Sequence, residues 1–107
     1  MIDPGRFNRR LVLEAPIETP DGAGGVSRAF MTLATLWAEV TPLAARADSG
    51  AASLGAIATH RILVRAGVEI TTQHRLRLDA REFRIVTIRD HDRSGRIIEI
   101  HAEERVA

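Results

Sequence analysis

Residues 96–104 read RIIEIHAEE, and the alternation in them settles most of what the chain can become. Ile98, Ile100 and Ala102 fall on one side of an extended backbone, and Glu99, His101 and Glu103 fall on the other. The pattern recurs along the chain. RRLVLEA puts Leu11 and Leu13 on one face. THRILVRA sets His60, Ile62, Val64 and Ala66 against Thr59, Arg61 and Arg65, with Leu63 as the exception. HRLRLD alternates Leu76 and Leu78 with Arg75, Arg77 and Asp79. In TLWAEVTPL, Leu36, Ala38, Val40 and Pro42 oppose Thr35, Trp37, Glu39 and Thr41, so the only tryptophan lies on the face that reads as solvated.

EFRIVTIRD is less regular. Phe83 and Ile85 share one face while Val86 and Ile88 share the other, which predicts a bulge or a strand covered on both sides. About six strands result, separated by turn signals at TPDGAGG, AGVEITTQ, LDAR and DHDRSGR. Such short connections favour antiparallel pairing, hence a mainly β fold of the small barrel or sandwich kind. The 107 residues suffice for one domain spanning 1–107. Residues 44–58, AARADSGAASLGAIA, interrupt the pattern after the second strand. A short helix from about Ala51, capped by Asp48 or Ser49, is weakened by Gly50 and Gly55; a long loop is the alternative.

The residues that carry chemistry are sparse. With no cysteine, neither a disulfide framework nor a thiolate metal site is possible. His60, His74, His91 and His101 never fall at metal-ligand spacing. DHDRSG matches the first half of a calcium loop, yet the twelfth position, where a bidentate Glu is needed, is His101; a polar hairpin turn is expected instead. DGAGG lacks the Lys-Ser/Thr of a phosphate loop and reads as a hairpin tip. Ser27, Ser49, Ser53 and Ser94 have no evident base partner, and Glu103 and Glu104 point to opposite faces of a strand. No catalytic residue, cofactor or metal ligand is assigned, and no enzyme is expected. Fifteen arginines against fourteen acidic residues give a net charge of +1, too little surplus for a dedicated nucleic-acid binder. Three Phe and one Trp offer a poor platform for stacking bases. No apolar run approaches the length of a membrane span and no secretory core opens the chain, so no membrane association is expected.

The order of the pieces is informative as a set. GRFNRRLVLEAP, DGAGG, TLWAEVTPL, a loop, THRILVRAGVEIT and LRLDAREFRIVTIRDHDRSGRIIEIHAEE together resemble the phage head–tail joining (head-closure or stopper) proteins of tailed phages and gene transfer agents. The resemblance covers essentially the whole chain and rests most on LWAEVTPL, THRILVR and REFRIVTIRD. Ala80, where such proteins often have Gly, and His101, where Cys is frequent, depart from it. It implies a small antiparallel β-barrel in a homo-oligomeric ring, commonly a dodecamer. That ring lies between a portal or adaptor ring and tail-terminator or tail proteins, with packaged double-stranded DNA passing through without sequence-specific binding. The location it implies is the virion, assembled in the host cytoplasm.

In that family the long loop helps gate the channel, and here it corresponds to residues 44–58, with Arg46, Asp48, Ser49, Gly50, Ser53, Leu54 and Gly55 as candidates. Small side chains let many copies crowd a narrow passage, and sparse charge gives DNA little to grip. Trp37, Glu39, Arg61 and Arg65 are the candidate subunit contacts, because aromatic residues and Arg are enriched at interfaces. Trp37 needs a cover. The N-terminal segment, a neighbouring subunit, or Phe7 or Phe30 of its own chain are the alternatives.

Overall fold

The alternating segments form six antiparallel strands that close on themselves. They are β1 (Arg9–Pro20), β2 (Val26–Pro42), β3 (His60–Arg65), β4 (Arg75–Leu78), β5 (Arg81–Asp90) and β6 (Ile97–Arg105), preceded by a 3₁₀ turn at Pro4–Arg6. This computed structural model describes residues 4–43 and 58–105, so the loop candidates Arg46, Asp48, Ser49, Gly50, Ser53, Leu54 and Gly55 lie outside the described residues. Around the barrel the order is β1-β2-β3-β6-β5-β4, and β4 returns to β1 to close it. Consecutive strands pair except at one place. Residues 66–74 carry the chain from β3 across the barrel to β4, and β6 takes the position beside β3.

The apolar half of each alternation fills the barrel. Leu11, Leu13, Ala38, Ile62, Val64, Leu76, Phe83, Ile85, Ile100 and Ala102 form one cluster with essentially no solvent exposure. Each larger member contributes about 1.5–3 kcal/mol by leaving water. The irregularity in EFRIVTIRD is a bulge: Ile85 pairs with Ala102 and Thr87 with His101, leaving Val86 extra. The extra residue restores parity, so Ile88 comes opposite Ile100 and packs against the core beside Phe83 and Ile85.

A second bulge went unmarked in the pattern. Leu13 pairs with Ala34 and Glu14 with Thr32, so Leu33 is the extra residue of β2. Beyond it the β1–β2 ladder continues to Pro20↔Val26, well past the strand limits read from RRLVLEA and TLWAEVTPL. β4 pairs with β1 only over Val12–Glu14, and β3 pairs with β2 only from Ala38 onward. Residues 15–20 and 26–32 therefore form a two-stranded arm that leaves the barrel. The tip is the DGAGG turn: the Asp21 carboxylate accepts hydrogen bonds from the Ala23 and Gly25 amides at 2.8 and 3.1 Å. Gly22 and Gly24 hold φ values of +81° and +87°, which side chains resist.

At the opposite end Thr59 gathers the strand ends. Its carbonyl accepts from the Leu43 amide at 2.9 Å, its amide donates to Ala102 at 2.8 Å, and its hydroxyl accepts from the Glu104 amide at 2.7 Å. Leu43 and Thr59 are thus held side by side.

Candidate functional site

The outward face of β2, β3 and β6 carries the side chains that the core does not use. Register sets them in rows: Glu39, Leu63 and Glu99 lie across the three strands, and Thr41, Arg61 and His101 lie in the next row. Leu63, the exception in its alternation, is buried but stands outside the central cluster, as does Phe7. The N-terminal segment accounts for this second, outer layer. Arg6 ion-pairs with Glu39 at 2.7 Å, and the Arg65 guanidinium lies 5.3 Å from the centre of the Phe7 ring. The strap formed by residues 4–7 is thus fastened on one side by charge and on the other by a cation–π contact.

Of the four contact candidates, the structure brings Glu39 and Arg61 together at 3.9 Å and leaves the Arg61 Nε buried with no acceptor. Glu39 is itself buried beneath Arg6. Arg65 is exposed and lies over Phe7. Trp37 is different, because 57% of it remains open to solvent. Phe7 sits in the strap layer and Phe30 is stacked under the Arg75 guanidinium at 3.7 Å. No cover from either leaves Trp37 less than half exposed.

A charge cluster that spacing alone did not single out lies at the β5–β6 end. Glu99 is buried, and its carboxylate meets His101 at 2.7 Å, His91 at 2.9 Å and Arg89 at 2.9 Å. Burial pushes the Glu99 carboxyl up, but the hydrogen bonds to His91, Arg89 and His101 outweigh it and bring it down to about 2. The spacing of Glu99 and His101 placed them on one face; the approach of β5 depends on the bulge. At the other end Arg81 forks onto Glu104 at 2.8 and 3.1 Å, which lowers the carboxyl and raises the guanidinium. His60 packs edge-on against Phe83, and burial holds its imidazole below the ordinary value against the pull of Glu104.

None of these groups is arranged for chemistry on a substrate. Among the described residues no three His, Asp or Glu side chains stand where they could hold a metal. In DHDRSG, Asp92 accepts from the Ser94 amide and Ser94 from the Arg96 amide, both at 3.0 Å, so these groups serve the turn. A cleft of about 540 Å³ opens between the arm and β4–β5, lined by Arg28, Phe30, Arg75, Glu82, Arg84 and Arg105. Arg28 is paired with Glu18, Arg75 with Glu14 and Glu82, and Arg84 with Glu103. Its positive charge is largely compensated, which disfavours it as an anion site.

What the arrangement offers is surface for contact. Among the described residues Ile17, Val26, Met31, Leu33, Trp37 and Leu43 are the large apolar side chains left exposed, and five of them lie on β1 or β2 at or beyond the rim of the barrel. No helix among the described residues is long and apolar enough to cross a membrane.

Comparison with known proteins agrees with a structural role. A family model described as phage head completion protein matches residues 2–105. A chain in the virion of a native gene transfer agent particle is 33% identical, with a TM-score of 0.70 over 94% of this chain and 96% of that one. Protein SF1141 from Shigella flexneri 2a, known from a solution structure, is 26% identical, with a TM-score of 0.72 and 96% of each chain covered. No curated protein matches the sequence. The chain belongs to the phage head completion protein family. It is a structural component of a phage or gene-transfer-agent virion and not an enzyme.

Proposed function

We propose that this virion component is a head-closure subunit. Copies assemble into a ring at the head–tail connector, seal the DNA exit beneath a portal or adaptor ring, and offer the tail its attachment surface. The observation that carries the reading is the division of labour in the fold. The closed barrel satisfies its own core, while the large apolar side chains left in water concentrate on β2 and its neighbour β1. Residues 44–58 enter the proposal as the segment that reaches the channel, with Arg46, Asp48, Ser49, Gly50, Ser53, Leu54 and Gly55 lining it. The side-by-side exit of Leu43 and Thr59 supports this, since an insertion rooted there can vary without disturbing the strands. The single-stranded nucleic-acid alternative loses support. Phe7 and Phe83 are buried and Phe30 is stacked on Arg75, which leaves Trp37 without partners for a run of stacked bases.

Electron microscopy of particles assembled without this protein, with DNA content assayed alongside, tests the proposal. Heads that lose DNA beside separate tails of normal length are the expected result. Filled, stable heads beside tails of irregular length would move the protein to the tail-terminator position and end the closure reading.

A further inference from the structure

The outward face of β3 presents Arg61, Leu63 and Arg65, which alternate with Ile62 and Val64 of the core. The strap is anchored on both sides of this short row. Phe7 lies under Arg65, and Arg6 reaches the carboxylate of Glu39, the residue that Leu63 faces across the β2–β3 ladder. Leu63 stands between the two anchors and is only 2% exposed, although it takes no part in the central cluster. Trp37, two residues before Glu39 on the same face, is diagonal to Leu63 and lies in the open.

The fastening at Glu39 is imperfect. Its Oε1 accepts from Arg6 Nη2 at 3.0 Å and from the Thr41 hydroxyl at 3.5 Å, and Arg61 Nη2 stands 3.9 Å from the same oxygen. Its Oε2 lies 2.7 Å from Arg6 Nε, yet the N–H is not aligned with it and no hydrogen bond forms. Among the described residues two buried side-chain atoms lack a hydrogen-bond partner, and they are this Oε2 and the Nε of Arg61. Buried polar atoms are rarely left so, since each has given up its hydration for nothing. One of these is an acceptor and the other a donor, on adjacent strands, in one charge cluster. Each orphan is what the other requires. The Arg6 side chain is 59% exposed and can return to water, whereas Arg61 is fixed in the ladder opposite Thr41, within reach of Glu39.

We infer that residues 4–7 are a releasable strap, and that Arg6 and Arg61 are alternative partners of Glu39. In the closed form Arg6 holds Glu39 and the Nε of Arg61 goes unmatched. In the open form Arg61 turns onto Glu39, its Nε and Nη2 meeting the two carboxylate oxygens, and Arg6 is solvated. Glu39 is never left buried without a cation, so the strap lifts without the large loss that an unpaired buried carboxylate brings. Lifting it takes Phe7 from Arg65 and uncovers Leu63 beside Trp37. The strap therefore sets how much of its outer face the subunit exposes, and the second arginine makes that setting reversible. A fixed strap would need one arginine and leave no buried donor over.

The chain has no cysteine, so Leu63→Cys places a single thiol beneath the strap, and its rate of alkylation in the purified protein reads opening. Arg6→Gln in that background removes the ion pair of the closed form and is expected to speed alkylation about tenfold. Arg61→Met removes the competitor and is expected to slow it about threefold. The sign of that second effect discriminates, because a strap that merely packs on Arg61 opens faster, or no differently, when Arg61 is replaced. Faster or unchanged alkylation in the Arg61→Met protein overturns the inference, and so does an Arg6→Gln protein that reacts no faster than its parent. Thermal melts of Arg6→Gln, Arg61→Met and the double variant, all with Leu63 in place, do not depend on the thiol. Each single variant keeps one arginine for Glu39 and is expected to fold. The double variant strands the buried carboxylate and is expected to lose more than the sum of the two. Losses that simply add overturn the inference even where Leu63→Cys fails to fold. An Arg61→Met protein that fails to fold shows Arg61 holding the closed form and overturns it too. None of these readings involves ring closure, which DNA retention tests separately.

Discussion

β1 and β2 are each two kinds of strand in one. Over Val12–Glu14 β1 has β2 on one side and β4 on the other, and Leu13 there and Leu11 just before it are fully buried. From Ala15 to Pro20 the same strand keeps β2 alone, and Ile17 on the same face is 38% exposed. Nothing in the local alternation changes between the two halves. What changes is the number of neighbours, because an isolated two-stranded ribbon is marginal in water while a closed barrel has no edge to expose. Stability and contact surface are thereby separated along a single hairpin, with the bulge at Leu33 close to the boundary.

Core truncation is the largest way to break this comparison. Phe83→Ala removes the largest fully buried side chain and is expected to cost about 3–5 kcal/mol, enough to unfold a domain of this size or nearly so. Met31→Ala, on the arm, is expected to cost less than about 1 kcal/mol in the purified protein. Urea unfolding of the two variants gives the contrast directly. If Met31→Ala were as damaging as Phe83→Ala, the arm would be part of the core and the separation would fail.

The Glu99 cluster ranks next, and it has a pH signature. Glu99→Ala leaves Arg89, His91 and His101 facing an emptied site, at a cost of roughly 2–3 kcal/mol. The value falls below that of fully buried pairs because Arg89 can turn to water. Burial opposes ionisation here, yet the three donors win and the folded carboxyl titrates near 2, below its ordinary 4.5. A carboxyl depressed on folding stabilises fully above about pH 4.5 and loses that contribution as the pH falls toward 2. Wild type should therefore lose more stability than Glu99→Ala between those values, as read by thermal melts. Parallel curves would show that Glu99 is not the carboxylate involved.

Asp21→Ala sharpens the comparison at the arm's tip. The two amides that the carboxylate accepts are exposed, so their loss should cost about 0.5–1.5 kcal/mol locally. Amide exchange is expected to quicken on residues 15–32 and to stay unchanged in β5 and β6. Faster exchange throughout would mean that arm and barrel open as one unit.

Most of the barrel was legible because its strands are two-faced: six alternating segments became six strands, and the parity switch in EFRIVTIRD became the Val86 bulge. The arm was not. SRAFMTLAT places Phe30, Met31, Leu33 and Ala34 in no clean alternation, because a ribbon open on both faces imposes none and the Leu33 bulge shifts parity. The β3–β6 pairing was also hidden, since alternation says which face is buried but not which strand lies alongside. Among the candidate contacts, sequence placed Trp37 and Glu39 on one face, correctly as geometry. It gave no sign that Arg6 would reach across to Glu39 and bury it, because only the folded chain brings those residues together.

Trp37 is where stability and contact should come apart most cleanly. It lies on the outward face at the last position of β2 before β3 joins, 57% exposed, and it makes no contribution to the central cluster. Trp37→Ala is therefore expected to change the unfolding free energy of the purified protein by less than about 1 kcal/mol. In particles the loss should be far larger, because a side chain of this size at the centre of an interface typically accounts for about 2 kcal/mol or more of binding, a thirtyfold change in occupancy. Quantifying the variant in purified particles against its melting temperature separates the two effects. A variant that melts early and assembles poorly in proportion would place Trp37 with the barrel's own packing. One that melts normally and is missing from particles would assign it to the surface the barrel holds out to its neighbours.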